Sequence, residues 1–219
     1  MEIKVKKNVL GKNDRLAAEI RKYLSEKGIF AINLISSPGA GKTTILEETC
    51  ARLKDKLGIA VVEGDITTTR DADRIARHGV PVHQIETQGA CHLDARMLEN
   101  ALEHLDLDKV DLLIIENVGN LVCPATFDLG EDAKIVVLSV PEGDDKPAKY
   151  PGIFRRAKVL LLNKIDLLEI SGFDKEKALR DLAEINPDIT VFETSATKGT
   201  GMDEWCQWLA DRVAEKKKK

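Results

Sequence analysis

The sequence predicts an α/β fold with a mostly parallel central sheet flanked by helices on both faces. Two observations carry this. Short apolar runs at 29–35, 59–62, 110–115, 134–140, 159–162 and 189–192, with a further strand candidate at 80–85, alternate with segments of helical period. Strands that are apolar on both faces belong in a sheet covered on both sides. The first strand and the helix after it are also joined by a glycine-rich turn, Pro38-Gly39-Ala40-Gly41, and in open parallel sheets ligands bind at such carboxyl-end loops. The 219 residues are 43% hydrophobic, enough for a sizeable core, and only 4% aromatic, so that core is expected to be aliphatic.

Taken in order, residues 13–27 read as a helix, with Asn13 as its cap and Leu16, Ile20, Tyr23 and Leu24 on one face. Gly28 ends it. A buried strand at 29–35 leads through the glycine turn into a helix at 42–57. After the strand at 59–62, Thr69 is placed to cap a short helix that ends near His78-Gly79. The strand at 80–85 precedes a helix at 92–105 that turns Leu93, Met97, Leu98, Leu102 and Leu105 inward. Strands follow at 110–115, 134–140 and 159–162, then a helix at 174–185, a strand at 189–192 and a last helix at 201–213. The expected organisation is one domain over 1–219, with 1–28 as a helical extension packed on it and 214–219 as a solvated basic tail.

Composition excludes several classes. With 33 Lys and Arg against 37 Asp and Glu, the net charge of -4 gives no global field favouring nucleic acid. No apolar run reaches the roughly 18 residues a spanning helix needs, so no membrane partner is expected. The basic start, Met1 to Lys7, leads into no long apolar stretch, so no secretory signal is expected either. Four cysteines in a chain of this length are not a disulfide scaffold.

The glycine turn sits in Ser36-Ser37-Pro38-Gly39-Ala40-Gly41-Lys42-Thr43-Thr44. Gly41, Lys42 and Thr43 fit the P-loop pattern Gly-x4-Gly-Lys-Ser/Thr, while Ser36 stands at the leading glycine. Gly39 and Gly41 let the backbone curl so that N–H groups face a phosphate, and the following helix N-terminus adds positive potential. Lys42 is placed to reach the β- and γ-phosphates and Thr43 to ligate Mg²⁺. Partition-type ATPases of similar fold carry a second lysine in this loop; Ser37 stands at that place here.

Asn163-Lys164-Ile165-Asp166, after the strand at 159–162, resembles the Asn-Lys-x-Asp motif of GTPases. Asp166 would accept from N1–H and the 2-amino group of guanine, a pair adenine does not offer. Asn163 would brace the loop and the Lys164 stem flank the base. Thr194-Ser195-Ala196-Thr197 resembles the later loop that backs the base, through Ser195 and Ala196. GTP is therefore the favoured nucleotide over ATP.

Two acids end strands. Asp65 closes Glu63-Gly64-Asp65, and Glu116 opens Glu116-Asn117-Val118-Gly119, where many GTPases have Asp-x-x-Gly. Either carboxylate can hold Mg²⁺ directly or through water, and Asp65 can instead orient the attacking water. Gly119 is placed to offer an N–H to the γ-phosphate. Thr68, Thr69 and Arg70 fall in a segment that could respond to it. Lys146 and Lys149 could reach a nucleotide across a dimer, or be two solvated lysines.

A second constellation is softer. Cys91-His92 precedes a helix, and Cys123-Pro124 lies seven residues after Glu116. Thiolate and imidazole suit Zn²⁺ and Ni²⁺. Cys50 and Cys206 fall on apolar helix faces and read as inert core thiols. His78, His83 and His104 are left out of the site.

These motifs, with Glu142-Gly143-Asp144-Asp145, resemble the hydrogenase nickel-incorporation GTPases, the HypB family of SIMIBI-class P-loop GTPases, over nearly the whole chain. The resemblance implies GTP hydrolysis to GDP and a nickel metallochaperone or regulator serving [NiFe]-hydrogenase maturation in the cytoplasm. It also implies a homodimer tightened by GTP, with metal held between subunits by Cys91, His92 and Cys123. The partners it implies are a nickel-insertion accessory protein and the hydrogenase large subunit. The N-terminal cysteine motif of some members and the His-rich stretch of others do not occur in these residues, so the nucleotide-linked metal site is the one expected. Three other readings remain open: a urease-type nickel GTPase, whose Cys-Pro-His motif is absent because Ala125 follows Pro124; a signalling GTPase whose metal binding is incidental; and a nonenzymatic nickel store.

Overall fold

The computed structural model describes residues 2–65, 70–87 and 89–218, without the side chains of 2–9, 65, 70, 71 and 73. In chain order the main elements are α1 (Glu2–Glu26), β1 (Phe30–Ser36), α2 (Lys42–Leu53), β2 (Ile59–Asp65), α3 (Arg70–Ala76), β3 (Val82–Glu86), α4 (Ala95–Leu102) and β4 (Leu112–Gly119). There follow β5 (Ala133–Ser139), the one-turn helices α5 (Lys146–Lys149) and α6 (Pro151–Phe154), β6 (Val159–Asn163), the one-turn α7 (Leu168–Ser171), α8 (Lys175–Ile185), β7 (Thr190–Thr194) and α9 (Met202–Lys216).

The described strands form one seven-stranded sheet in the order β3-β2-β4-β1-β5-β6-β7. Every neighbouring pair is parallel. From β1 the chain builds outward to β2 and β3, then returns to build the other half. The reversal leaves a crevice beside the carboxyl end of β1, where parallel sheets take their ligands.

Alternate residues of each strand face opposite layers. Ile32 and Leu34, Val61, Leu112 and Ile114, and Ile135 pack under α2, α3 and α9, with Ile45, Leu46, Ile75 and Leu209 among the buried partners. Trp205 is buried in that layer, and its ring N–H donates to Thr49 Oγ1 at 3.0 Å, so the indole pays no unpaired-donor penalty. On the other face α1 and α4 cover Ala31, Val62, Leu113 and Ile115. Further along, Phe154, Ala178 and Leu182 of α6 and α8 cover Val136, Leu138, Leu160 and Leu162. The core is aliphatic, as the composition implies. No helix among the described residues is long and apolar enough to cross a membrane.

Several expectations are corrected. The first helix starts far earlier than 13, and Asn13 lies inside it. Its side chain is buried and makes tertiary bonds: Oδ1 accepts from Ala95 N and Nδ2 donates to Asp128 O, both at 2.9 Å. A buried amide gains more from two such partners than from capping its own helix. Tyr23 turns outward, 46% exposed, with Lys27 Nζ over its ring. The helix expected from 92 begins at Ala95, because Asp94 is its cap and Oδ1 accepts from Met97 N at 2.8 Å. This leaves His92 and Leu93 in a loop. The last helix runs to Lys216, whose amine meets Asp132 Oδ1 at 2.6 Å, and Lys217 meets Asp111, so these two lysines are paired and not simply solvated. Thr69, expected as a cap, lies outside the described residues.

At the sheet edge the His83 ring of β3 stacks on His104, just beyond α4, with centroids 4.5 Å apart and planes 7° from parallel. Burial holds the His83 imidazole below its ordinary value of 6.5, and the neighbouring ring adds to the effect. Below that value the unfolded chain takes up the proton more readily than the folded one. Stability is therefore full above 6.5 and is lost as pH falls through the depressed folded value. Thermal melts between about pH 7.5 and 5 are expected to fall with pH, and His83→Gln to flatten part of that slope. Equal slopes in the two proteins would contradict the assignment.

Candidate functional site

The loop after β1 curls through two glycines in the left-handed region, Gly39 at φ 78° and Gly41 at φ 98°. A Cβ on Gly41 would lie 2.6 Å from Asn163 Nδ2. That close approach has a purpose. Asn163, fully buried at the end of β6, donates from Nδ2 to Ala40 O at 2.9 Å. Its Oδ1 accepts from Ala196 N and Thr194 Oγ1, each at 3.3 Å. One amide thus ties the phosphate loop, the Asn-Lys-x-Asp loop and the Ser-Ala loop together. Lys164, the one non-glycine residue at positive φ among those described, places Nζ 2.6 Å from Gly39 O. Ser195 Oγ donates to Asp166 Oδ1 at 2.5 Å and so fixes the plane of that carboxylate.

A cavity of about 540 Å³ lies at the carboxyl edge. Its wall includes Gly39, Gly41, Lys42, Thr43, Thr44 and Gly119. Asp166, Ser195 and Ala196 stand on the adjoining loops and not in this wall. Lys42 Nζ rests 3.1 Å from Ser36 Oγ, at the mouth of the loop. Thr43 Oγ1 donates to Glu116 Oε1 at 3.0 Å, so the hydroxyl and the strand-end acid meet as a hard, all-oxygen donor pair suited to Mg²⁺. Gly119 sits tightly against the loop, since a Cβ there would lie 2.9 Å from Pro38 Cγ.

The soft constellation also converges. The donor atoms of Cys91, His92 and Cys123 all lie within 4.8 Å of one another. Cys91 Sγ is 2.9 Å from Cys123 Sγ and 3.6 Å from His92 Nδ1. Cys91 is exposed and Cys123 partly so. The His92 ring stacks on Phe127 with centroids 3.7 Å apart, and burial pulls its titration below the ordinary value, which keeps a lone pair free near neutrality. The contact with Cys123 raises the Cys91 thiol, so a metal entering here would displace protons. Cys50 and Cys206 differ altogether: burial pushes them to about 12 and about 11, and they are inert core thiols.

Residues 30–193 match the family described as CobW/HypB/UreG, nucleotide-binding domain. A hydrogenase maturation factor HypB from Escherichia coli strain K12 is 52% identical over 207 residues, covering 94% of this chain and 71% of that protein. The chain belongs to the HypB family. A hydrogenase/urease maturation factor HypB from Helicobacter pylori strain J99 is 43% identical, covering 98% of this chain and 89% of that one. The crystal structure of HypB from Helicobacter pylori in complex with nickel superposes with a TM-score of 0.88 at 43% identity, covering 93% of this chain and 96% of the other. The sheet order and the P-loop described above are thus those of this HypB-like fold.

Of the residues singled out in the sequence, the structure gathers Lys42, Thr43, Thr44, Glu116 and Gly119 around one cavity, and Cys91, His92 and Cys123 around another point. Asp65 ends β2, but its side chain lies outside the described residues, as do Thr68, Thr69 and the side chain of Arg70. Lys149 is paired with Asp145 at 2.5 Å, and Lys146 lies over the Tyr150 ring. Glu142 caps its own turn, accepting from Ser139 N and Oγ at 2.7 Å.

Among the lining residues missed as site members, two are charged. Glu63 is buried, stands in register with Glu116 on the neighbouring strand, and shares the cavity wall. Its strand parity, two before Asp65, was the available signal. Arg74 of α3 also lines the cavity and is paired with Glu47. Nothing in its local pattern marks it, because the tertiary placement of α3 brings it there.

Gly41 offers the sharpest test of this geometry. Gly41→Ala places a methyl on the Asn163 amide in a strained backbone, and nucleotide affinity is expected to fall by at least about tenfold. Titration with a fluorescent GDP analogue reads this directly, and affinity equal to wild type would show that the loop does not hold the nucleotide.

Proposed function

We propose that this chain is a GTPase that uses nucleotide binding and hydrolysis to control nickel delivery during [NiFe]-hydrogenase maturation. The observation that carries the reading is the convergence of Cys91, His92 and Cys123 on the same carboxyl edge as the phosphate loop, with Cys123 seven residues beyond the acid that touches Thr43. The names of the E. coli and H. pylori relatives, and nickel in the H. pylori structure, support it.

In this reading Asp166 recognises guanine, and the N–H groups around Gly39, Ala40 and Gly41 cradle the phosphates. Lys42 leaves Ser36 for the β- and γ-oxygens. Thr43 and Glu116 hold Mg²⁺, with Glu63 beside them and Asp65 as metal ligand or water-orienting group. Mg²⁺ supplies neutralisation of the charge that builds on the phosphate oxygens. Water attacks the γ-phosphorus, the bond to the bridging β–γ oxygen breaks, and GDP and phosphate leave. Nickel is cargo, and Zn²⁺ satisfies the same donors. Two sulfurs and one nitrogen fall short of a closed tetrahedral site, which water or, in a GTP-favoured homodimer, a second copy of the chain completes. We read the 219 residues as one GTPase unit acting in the cytoplasm, with a nickel-insertion accessory protein and the hydrogenase large subunit as partners.

A urease-directed role is the second reading, favoured by the name of the H. pylori relative. The Ala125 that follows Pro124 separates this chain from the urease-type metal motif. Measuring dimer mass against Ni²⁺ or Zn²⁺, with GDP or a non-hydrolysable GTP analogue, tests the core of the proposal. Metal-driven dimerisation that is strongest with the GTP analogue and absent in Cys123→Ala is expected. Indifference to both nucleotide and metal would leave a plain GTPase.

Base recognition has its own test. Asp166→Asn replaces an acceptor with a donor opposite N1–H and the 2-amino group. GTP affinity is expected to fall about 10- to 100-fold, while xanthosine triphosphate, which carries a carbonyl at that position, gains. Competition binding with the two nucleotides reads the exchange, and an unchanged preference for GTP contradicts the assignment.

A further inference from the structure

The two loops that carry the soft ligands are bridged from inside the protein. Asn13 of α1 reaches both: its Oδ1 accepts from Ala95 N, four residues after Cys91, and its Nδ2 donates to Asp128 O, five residues after Cys123. A second bridge crosses the sheet beneath α1. Asn117 Oδ1 accepts from Leu93 N at 3.2 Å, next to His92. Asn117 Nδ2 donates to Asn33 Oδ1 at 3.2 Å, and Asn33 Nδ2 to Glu131 Oε1 at 3.4 Å. Glu131 is paired with Lys134, whose Nζ also donates to Phe127 O at 2.8 Å and approaches Pro124 O at 3.4 Å. Pro124 follows Cys123, and Phe127 is the platform on which the His92 ring lies.

Asn33, Asn117 and Glu131 are buried, and Lys134 is nearly so. They occupy strand and loop positions on an otherwise apolar sheet face, next to Ala31, Ile115 and Leu129. Aliphatic residues would fill that layer at no desolvation cost, and a buried polar chain is weak support for stability on its own. What such a chain does supply is fixed geometry. Both of its ends, and both bonds of Asn13, fall on the segments that hold Cys91, His92 and Cys123.

We propose that Asn13 and the chain Asn117–Asn33–Glu131–Lys134 are positioning residues that preset the Cys91, His92 and Cys123 donors for a soft divalent cation. The proposal rests on the metal reading given above. Outer partners of this kind fix ligand orientation and so raise metal affinity. Asn13 and Lys134 stand apart from the nucleotide cavity, so their effect falls on metal alone. The neighbour of Asn117 on β4 is Glu116, which gives one arm of the clamp a direct covalent tie to the nucleotide side.

The test uses the full chain, with Ni²⁺ titrated by calorimetry and by the near-ultraviolet thiolate-to-nickel charge-transfer absorption. Asn13→Ala and Lys134→Met, one on each bridge, are expected to weaken Ni²⁺ binding about 10- to 100-fold and to alter that absorption, with GDP affinity unchanged. Lys134→Arg, which keeps a cation and donors, restores part of the loss. Should Lys134→Met fail to fold, Lys134→Met/Glu131→Gln removes the buried charges together and takes its place. Cys123→Ala serves as reference. If it loses Ni²⁺ while the folded bridge variants bind like wild type, the clamp is refuted and the metal site stands. If Cys123→Ala itself binds like wild type, the metal reading fails and the clamp with it.

Discussion

Strand β4 lies between β2 and β1 and is paired in parallel to both. At its carboxyl end it is paired on both sides as far as Glu116, and beyond that to β1 alone, through a register shift that ends at Ser36 and Gly119. Three consecutive demands are met there. Glu116 turns to one face and meets Thr43 of the phosphate loop. Asn117 turns to the other face and holds Leu93 N beside His92. Gly119 then passes so close to Pro38 that no side chain fits. The alternation of a strand, with successive side chains on opposite faces, puts the acid that meets the phosphate loop and the amide that holds the Cys91–His92 segment on adjacent residues of one strand. The same strand leads within a few residues to Cys123.

The fate of the four cysteines shows how position decides chemistry. Cys50 and Cys206 sit in the aliphatic layer beneath α2 and α9, where burial makes a thiolate costly. Cys91 and Cys123 sit where chain leaves the sheet, near an imidazole that burial keeps neutral. Residue type is identical, and solvent and neighbours make the difference. The same holds for the carboxylates. Glu131 is spent inside the protein on an amine and a backbone N–H. Glu63 and Glu116 face a cavity rich in hydrogen-bond donors and glycines.

Much of this was legible in the sequence because the signals were local. The five inner strands were marked by aliphatic runs, the edge strands β3 and β7 more weakly by mixed ones, and the phosphate loop by glycines at fixed offsets. Cys91-His92 and Cys123 could be named from chemistry and loop placement alone. The rest was tertiary. Asn13 looked like a cap because capping is what asparagine does locally; that it reaches two distant loops depends on where α1 lies on the sheet. Arg74 carried no signal, since only the docking of α3 on α2 brings it to the cavity. Asn33 and Lys134 belong to no motif and simply interrupt otherwise apolar strands. Such lapses are where a strand pattern stops describing packing and starts describing something else.

That point bears on how the two sites can communicate. A route along the backbone from Glu116 to Cys123 passes the buried Leu121 and the exposed Val122, and Asn120 ties it to the other loop by donating from Nδ2 to Cys91 O at 3.0 Å. The route through Asn117 is shorter and buried, and it ends on Leu93, whose side chain is packed where a Cβ on Gly64 would lie 2.8 Å away. Leu93 is thus pinned to β2 and β4 at once. A displacement of either strand end by the γ-phosphate or its cation would reach His92 through Asn117 and Leu93, and the Cys91–Cys123 pair both through Asn120 and through Lys134 and Phe127. Coupling of this kind is typically about 1–3 kcal/mol and is reciprocal for binding. In the proposed reading, metal that draws His92 and Cys123 together therefore holds β4 in the arrangement that nucleotide triphosphate prefers. In the same reading, loss of the γ-phosphate would weaken both grips at that strand end.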